Sequence, residues 1–317
     1  MLRAREAKLL NADRAARMID AASYDEAAKL MTDCGYADMS AMSGREVEAY
    51  LAARRDEVFD ELYKLAPDAA VLDVFKLKYD YHNAKALIKA EAMGQDASRL
   101  LSSSGRIAPD KLTEIYNDDR LSQLPATFAQ ALAEAKAQLA RTANPQLADF
   151  VLDGAYFAEL RETARAVDCP FLDGYADILT DSTNLKSAVR TLRMGKDPEF
   201  MRAALIPGGA VSADRLLAAG DKDAIASLFA NSLLERAAAL GAEAVDGGSM
   251  TAFELACDNA VTAYLRGAKL VSYGPEALIA YLAAVELEIT AVRMILTGRL
   301  AQIAPDTIRE RLRDMYA

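Results

Sequence analysis

Asp73-Val74-Phe75-Lys76-Leu77-Lys78-Tyr79-Asp80-Tyr81-His82-Asn83-Ala84-Lys85-Ala86-Leu87-Ile88-Lys89 decides how this chain is read. The stretch holds the only histidine, but its organisation is that of a repeated helical motif rather than a catalytic loop. An acid is followed five residues later by a base and then by an apolar pair. Asp80 and Lys85 lead to Leu87-Ile88, Asp181 and Lys186 to Ala188-Val189, and Glu288 and Arg293 to Ile295-Leu296. The first two copies also share an asparagine three residues after the acid, Asn83 and Asn184, where the third has Ala291. A chain built from three related units points to a scaffold or adaptor.

A second marker comes after each motif. Ile107-Ala108-Pro109-Asp110-Lys111-Leu112 resembles Val211-Ser212-Ala213-Asp214-Arg215-Leu216 and Ile303-Ala304-Pro305-Asp306-Thr307-Ile308. Each reads as a helix start, because proline costs little in the first turn and an acid there meets the positive end of the helix dipole. The distance from acid to marker is 27, 30 and 15 residues, so the third copy is expected to have lost a helix. A third marker covers two copies: Asp149 and Asp153 precede Asp181 at the spacing at which Glu254 and Asp258 precede Glu286.

The rest of the pattern is helical throughout. Ser23 with Glu26 and Ser43 with Glu46 are capping boxes. Residues 2–30 read as helix broken near Ala22-Ser23, and Cys34-Gly35-Tyr36 ends the next segment. Val47, Tyr50, Leu51, Val58, Leu62 and Leu65 keep a helical period up to a stop at Pro67. Motif helices are expected at 72–93, 171–194 and from Pro275 to near Gly298. Further helices fall at about 119–143, 147–167, 222–240 and 249–267, and a short one starts at Pro305. No sustained two-residue alternation occurs, so the chain is all-α, with short connections that favour antiparallel bundles.

Composition narrows the function. With 317 residues, 52% hydrophobic and 26% charged, the chain has ample material for a large core. A net charge of −10 argues against nucleic acid or anionic lipid as partner. No apolar run approaches the roughly 20 residues of a membrane span, and the charged start Met1-Leu2-Arg3-Ala4-Arg5-Glu6 is not a signal peptide. Cys34, Cys169 and Cys257 are too scattered for a zinc site or disulfide framework and fit a reducing compartment.

Catalytic patterns do not assemble. His82 lies mid-helix between Tyr81 and Asn83, where packing explains it better than a triad. Gly208-Gly209 is not followed by the lysine of a phosphate loop. Asp118-Asp119 and Asp177 with Asp181 lack the third acid that a magnesium cluster on helices requires. The repeated acid and base sit about 140° apart around a helix, so each is expected to reach a neighbouring element in a structural ion pair rather than its motif partner. No catalytic, cofactor-binding or metal-binding residue is assigned.

The motif Phe75-x-Leu77-Lys78-Tyr79-Asp80-Tyr81-His82-Asn83-x-Lys85 resembles the signature of the C subunit of archaeal and bacterial V/A-type ATPases, whose eukaryotic counterpart is the d subunit of the vacuolar proton pump. Arg3-Ala4-Arg5-Glu6-x-x-Leu9-Leu10, the Leu30 to Tyr36 segment, Phe253-Glu254-x-x-x-Asp258 and Glu286-x-Glu288-Ile289-x-x-Val292-Arg293 extend the resemblance along nearly the whole chain. Ala291 departs from the family's usual asparagine. The family also carries a longer lead-in before its first Arg-Ala-x-Glu, which implies that this chain begins late.

The resemblance implies three similar helical-bundle subdomains arranged as a pseudo-threefold funnel. They are expected at 1–117, 118–221 and 222–317, the last shortened at its end. It implies a non-catalytic, cofactor-free central-stalk adaptor on the cytoplasmic side of the membrane. One end would take the rotating shaft of the D and F subunits, and the other would sit on the membrane rotor ring, with no nucleic-acid partner and no direct membrane insertion. The competing readings are an unrelated helical protein-binding scaffold, told apart by co-purification, and a helical metal-dependent enzyme, told apart by bound magnesium or zinc.

Overall fold

The computed structural model describes residues 2–64, 66, 70–271 and 274–317, and all regular structure among them is helical. Leu65 and the stop at Pro67 lie outside the described residues. The backbone divides into two compact units. One joins Met1–Lys64 to Asp221–Ala317, and the other is Leu65–Gly220. The cut after Gly220 lies one residue from the repeat boundary drawn after 221, and the cut after Lys64 has no counterpart among the boundaries drawn from sequence.

In the unit Leu65–Gly220, the first motif helix Ala70–Met93 packs along Pro145–Val167. That helix forms an antiparallel hairpin with Ala126–Thr142, turned by Ala143 in the left-handed conformation (φ 51°) and capped by Asn144, whose side chain accepts the N–H of Gln146. Aromatic rings fill the seam: Tyr81 meets Phe128 edge-on at 5.0 Å and Tyr156 at 5.7 Å. The second motif helix, Pro170–Arg193, comes next, and its Tyr175 stacks on Phe75 of the first.

In the other unit, the third motif helix Pro275–Leu300 packs against Gly44–Tyr63 and the short helices Leu2–Glu6, Ala12–Asp20 and Tyr24–Lys29. Nine consecutive residues, Ala277 through Val285, are buried, as expected of a helix that is apolar all round. Gly44–Tyr63 starts with the full Ser43–Glu46 capping box.

The motif helices end alike. Fourteen residues after the acid stand Gly94 and Gly195, both at φ 61°, and Gln302 at φ 55°. In each case the next amide turns back to a carbonyl five residues earlier: Gln95 to Ala90, Lys196 to Thr191 and Ile303 to Gly298. This is a Schellman close, and it recurs in all three copies.

Three expected helices are shorter than the sequence suggested. The stretch 2–30 breaks at residues 7–11 as well as near Ser23, because Asn11 caps a new helix through the N–H of Arg14. Pro125 delays the helix expected from 119 until Ala126, leaving a single 3-10 turn at Leu121–Gln123. The stretch 222–240 is split into Lys222–Leu228 and Glu235–Val245 around Asn231, which adopts φ 61°.

Candidate functional site: the motif carboxylates and their loops

Each motif acid holds a backbone loop. Asp80 is fully buried, and its Oδ1 accepts the N–H groups of Arg106 at 2.9 Å and Ile107 at 3.1 Å. Its Oδ2 accepts Arg106 Nε at 2.7 Å. Arg106 Nη1 continues to Glu159 Oε1 at 2.8 Å, and the other oxygen of Glu159 accepts the hydroxyl of Tyr81. One network thus ties the first motif helix to its own loop and to Pro145–Val167. Asp181 repeats the backbone part, accepting from Ala210 N at 3.1 Å and Val211 N at 3.2 Å. Ile107 and Val211 are the residues that open the second marker, which gives that marker its physical meaning: the acid fixes the approach to the next helix.

The shared asparagine clamps the other end of the loop. Asn83 Oδ1 accepts the N–H of Ser102 while its Nδ2 donates to the carbonyl of Ser102, at 2.8 and 2.9 Å. Asn184 does the same to Ile206, at 2.7 and 2.8 Å. A buried side-chain amide here satisfies a backbone donor and acceptor that would otherwise be stranded. Between clamp and acid lies a glycine in each copy. A methyl group on Gly105 would collide with Asp80 Oδ1, and one on Gly209, at φ 84°, with Asp181 Oδ1.

The third copy solves the same problem differently. Glu288 is buried, and it accepts the N–H of Leu10 on one oxygen and the hydroxyl of Tyr36 on the other. Ile303, which opens the marker in this copy, donates its N–H to the carbonyl of Gly298 and not to the acid.

The bases leave their own acids and reach other helices. Lys85 pairs with Asp153, and Lys89 with Asp149 at 2.7 Å. Arg293 grips Glu48 through Nε, at 2.9 and 2.7 Å to the two oxygens. Acid and base therefore serve separate neighbours in the first and third copies, as expected, but where Asp80 forms an ion pair with Arg106, Glu288 meets an amide and a hydroxyl in place of the expected ion pair. Asp149 and Asp153, singled out only by spacing, turn out to be the partners of the first motif's lysines.

The carboxylates differ electrostatically. Burial pushes Asp80 upward from the ordinary carboxylate range, and the guanidinium and two amides of the 106–107 segment offset part of this. Asp181 has alanine where Asp80 has Arg106. Burial pushes it up to about 6, the two amides of 210–211 oppose, and nearby Asp177 adds to the rise. Burial also raises Glu288, against the Tyr36 and Leu10 donors. Tyr36 itself moves far upward through its own burial and the adjacent Glu288.

The remaining sequence candidates are engaged in local structure. His82 Nε2 contacts the carbonyl of Leu100 at 2.9 Å on an exposed face. Asp177 faces Arg161, Asp118 faces Arg120 and Asp119 faces Lys136. Among the described residues no three His, Cys, Asp or Glu side chains gather as a metal cage. A groove of about 920 Å³ runs beside the first motif's loop, with Glu91, Asp96, Asp110 and Glu114 along it and Lys136 at one side. Among the described residues no helix is long and apolar enough to cross a membrane.

A family model described as ATP synthase (C/AC39) subunit matches residues 1–311. The chain is similar to the C subunit of the V-type sodium ATPase of Enterococcus hirae, at 23% identity over all of this chain and 97% of that protein. It is also similar to the C subunit of the A-type ATP synthase of Methanocaldococcus jannaschii, at 26% identity over 98% of this chain and 84% of that protein. The C subunit of the V-type ATP synthase of Thermus thermophilus matches at 28% over 39% of each chain.

Proposed function

Because the chain belongs to the ATP synthase (C/AC39) subunit family, we propose that it is the central-stalk adaptor of a rotary V/A-type ATPase. The family is a structural, non-catalytic subunit of the complex, and this chain is not an enzyme in its own right. In the proposed role it joins the rotating shaft, made of the D and F subunits, to the membrane rotor ring on the cytoplasmic side. It passes torque between them and so couples ATP chemistry to ion movement. Three helical repeats supply its walls.

The observation that best supports this reading is the use to which the buried polar groups are put. Asp80, Asp181, Glu288, Asn83 and Asn184 each commit at least one hydrogen bond to a backbone amide of the chain itself, and Arg106 and Tyr36 add side-chain bonds to Asp80 and Glu288. Such groups stiffen connections between packed helices, and stiffness is what a torque-transmitting adaptor requires. Co-purification from detergent-solubilised membranes tests the reading: shaft and rotor-ring subunits are expected with the tagged chain, and their consistent absence refutes it.

A further inference from the structure

The third motif takes its loop amide from a distant part of the chain. In the first two copies the acid, its loop amide and the next short helix run in chain order: Asp80, Ile107, then Pro109–Asn117, and Asp181, Val211, then Ala213–Ala219. In the third, the amide that the acid holds belongs to Leu10, 278 residues earlier. The residues after Leu10 match those after the other two amides.

Leu10-Asn11-Ala12-Asp13-Arg14 stands against Val211-Ser212-Ala213-Asp214-Arg215 and Ile107-Ala108-Pro109-Asp110-Lys111. In all three the helix begins two residues after the held amide, with an aspartate in its first turn. Asn11 caps by accepting Arg14 N, and Ser212 by accepting Arg215 N. Five residues after the held amide come Ala15, Leu112 and Leu216, all at most 1% exposed. The carboxylate is longer by one methylene in this copy, and Lys8 occupies the place of the two glycines.

We infer that the N-terminal segment Leu2–Asp20 is the closing piece of the third repeat, latched by Glu288, so that the chain's first helices complete its last motif. The third repeat is then circularly permuted rather than shortened. Other contacts fasten the same strap. Arg3 donates to the carbonyls of Ala268 and Val271, Tyr316 reaches Glu6, Arg309 pairs with Asp20, and Arg299 donates to the carbonyl of Ala21. All of these contacts lie within the one unit that joins Met1–Lys64 to Asp221–Ala317.

Residue-resolved amide hydrogen exchange on the full chain tests this. In the wild type, the Leu10 amide should be protected to within about tenfold of Val292 in the third motif helix, because the two open together. Glu288→Ala should then speed exchange at Leu10 by about 10- to 100-fold while Ile107 and Val211 keep their protection. A Leu10 amide that exchanges in the wild type as fast as the exposed helix end at Ala4 overturns the inference whether or not the variant folds. So does an unchanged Leu10 rate in a folded Glu288→Ala protein.

Discussion

Glu288, midway along the last long helix, accepts the backbone N–H of Leu10. Asp80 and Asp181 hold Ile107 and Val211 in the same manner, but from within contiguous stretches of chain. One acid per motif helix thus anchors one helix start, and the differences among the three sites yield distinct expectations.

Asp80 and Asp181 should respond differently to neutral replacement. Asp80→Asn breaks a buried pair with Arg106 and should cost about 3–5 kcal/mol, toward the lower end because Arg106 keeps Glu159. Asp181→Asn breaks no ion pair of this kind and loses one of two backbone hydrogen bonds, so it should cost less, about 1–2 kcal/mol at neutral pH. Denaturant unfolding of both variants measures the contrast; equal losses would contradict it.

The Asp181 site should also give a signature in pH. Its folded-state value of about 6 lies above the ordinary 3.8, so the folded chain binds this proton more tightly than the unfolded chain. Its contribution is therefore fully present below about 3.8 and is lost as pH rises through about 6. Relative to Asp181→Asn, the wild type should gain stability on going from pH 7 to pH 4, by up to about 2 kcal/mol. A difference that is flat, or of opposite sign, would show that the carboxyl is ionised throughout.

The loop glycines should be intolerant. Gly105→Ala and Gly209→Ala each push a methyl group into a buried carboxylate, and Gly209 also has a left-handed backbone. Losses of about 1–3 kcal/mol are expected. Gly154→Ala serves as the comparison, since nothing lies within 4 Å of the added atom. Similar effects at all three glycines would rule out close approach as the reason for glycine here.

The clamp should outweigh the ion pair beside it. Asn83→Ala strands a donor and an acceptor of Ser102 and should cost about 2–3 kcal/mol. Lys85→Ala removes a partly exposed pair with Asp153 and should cost less than about 1 kcal/mol. A double-mutant cycle on Lys85 and Asp153 gives the pair's coupling directly.

Much of the fold was legible in the sequence because the motif residues recur at fixed offsets. The three motif helices, with ends at 93, 194 and near Gly298, and the helix starts that follow Ile107 and Val211 come from caps, prolines and apolar periodicity. The pairing of Lys85 and Lys89 with Asp153 and Asp149 was marked by spacing, though spacing alone does not say which charge meets which. The latch between Glu288 and Leu10 was not legible. A search for the third marker naturally runs forward from the acid, and Ile303-Ala304-Pro305-Asp306 offers a plausible match there. Leu10-Asn11-Ala12-Asp13 carried the needed signal at the other end of the chain. The breaks at Asn11, Pro125 and Asn231 were missed because each sits between apolar segments that continue a helical period on both sides.

Coupling is the most direct test of the proposed role. Membrane vesicles carrying the ATPase would be prepared with the chain present, with the chain absent, and with the purified chain added back, and ATP hydrolysis and ATP-driven ion transport would be measured side by side. Without the chain, hydrolysis is predicted either to leave the membrane with the catalytic head or to continue without transport, and adding the chain back should restore transport. Full ATP-driven transport in vesicles lacking the chain would contradict the adaptor role.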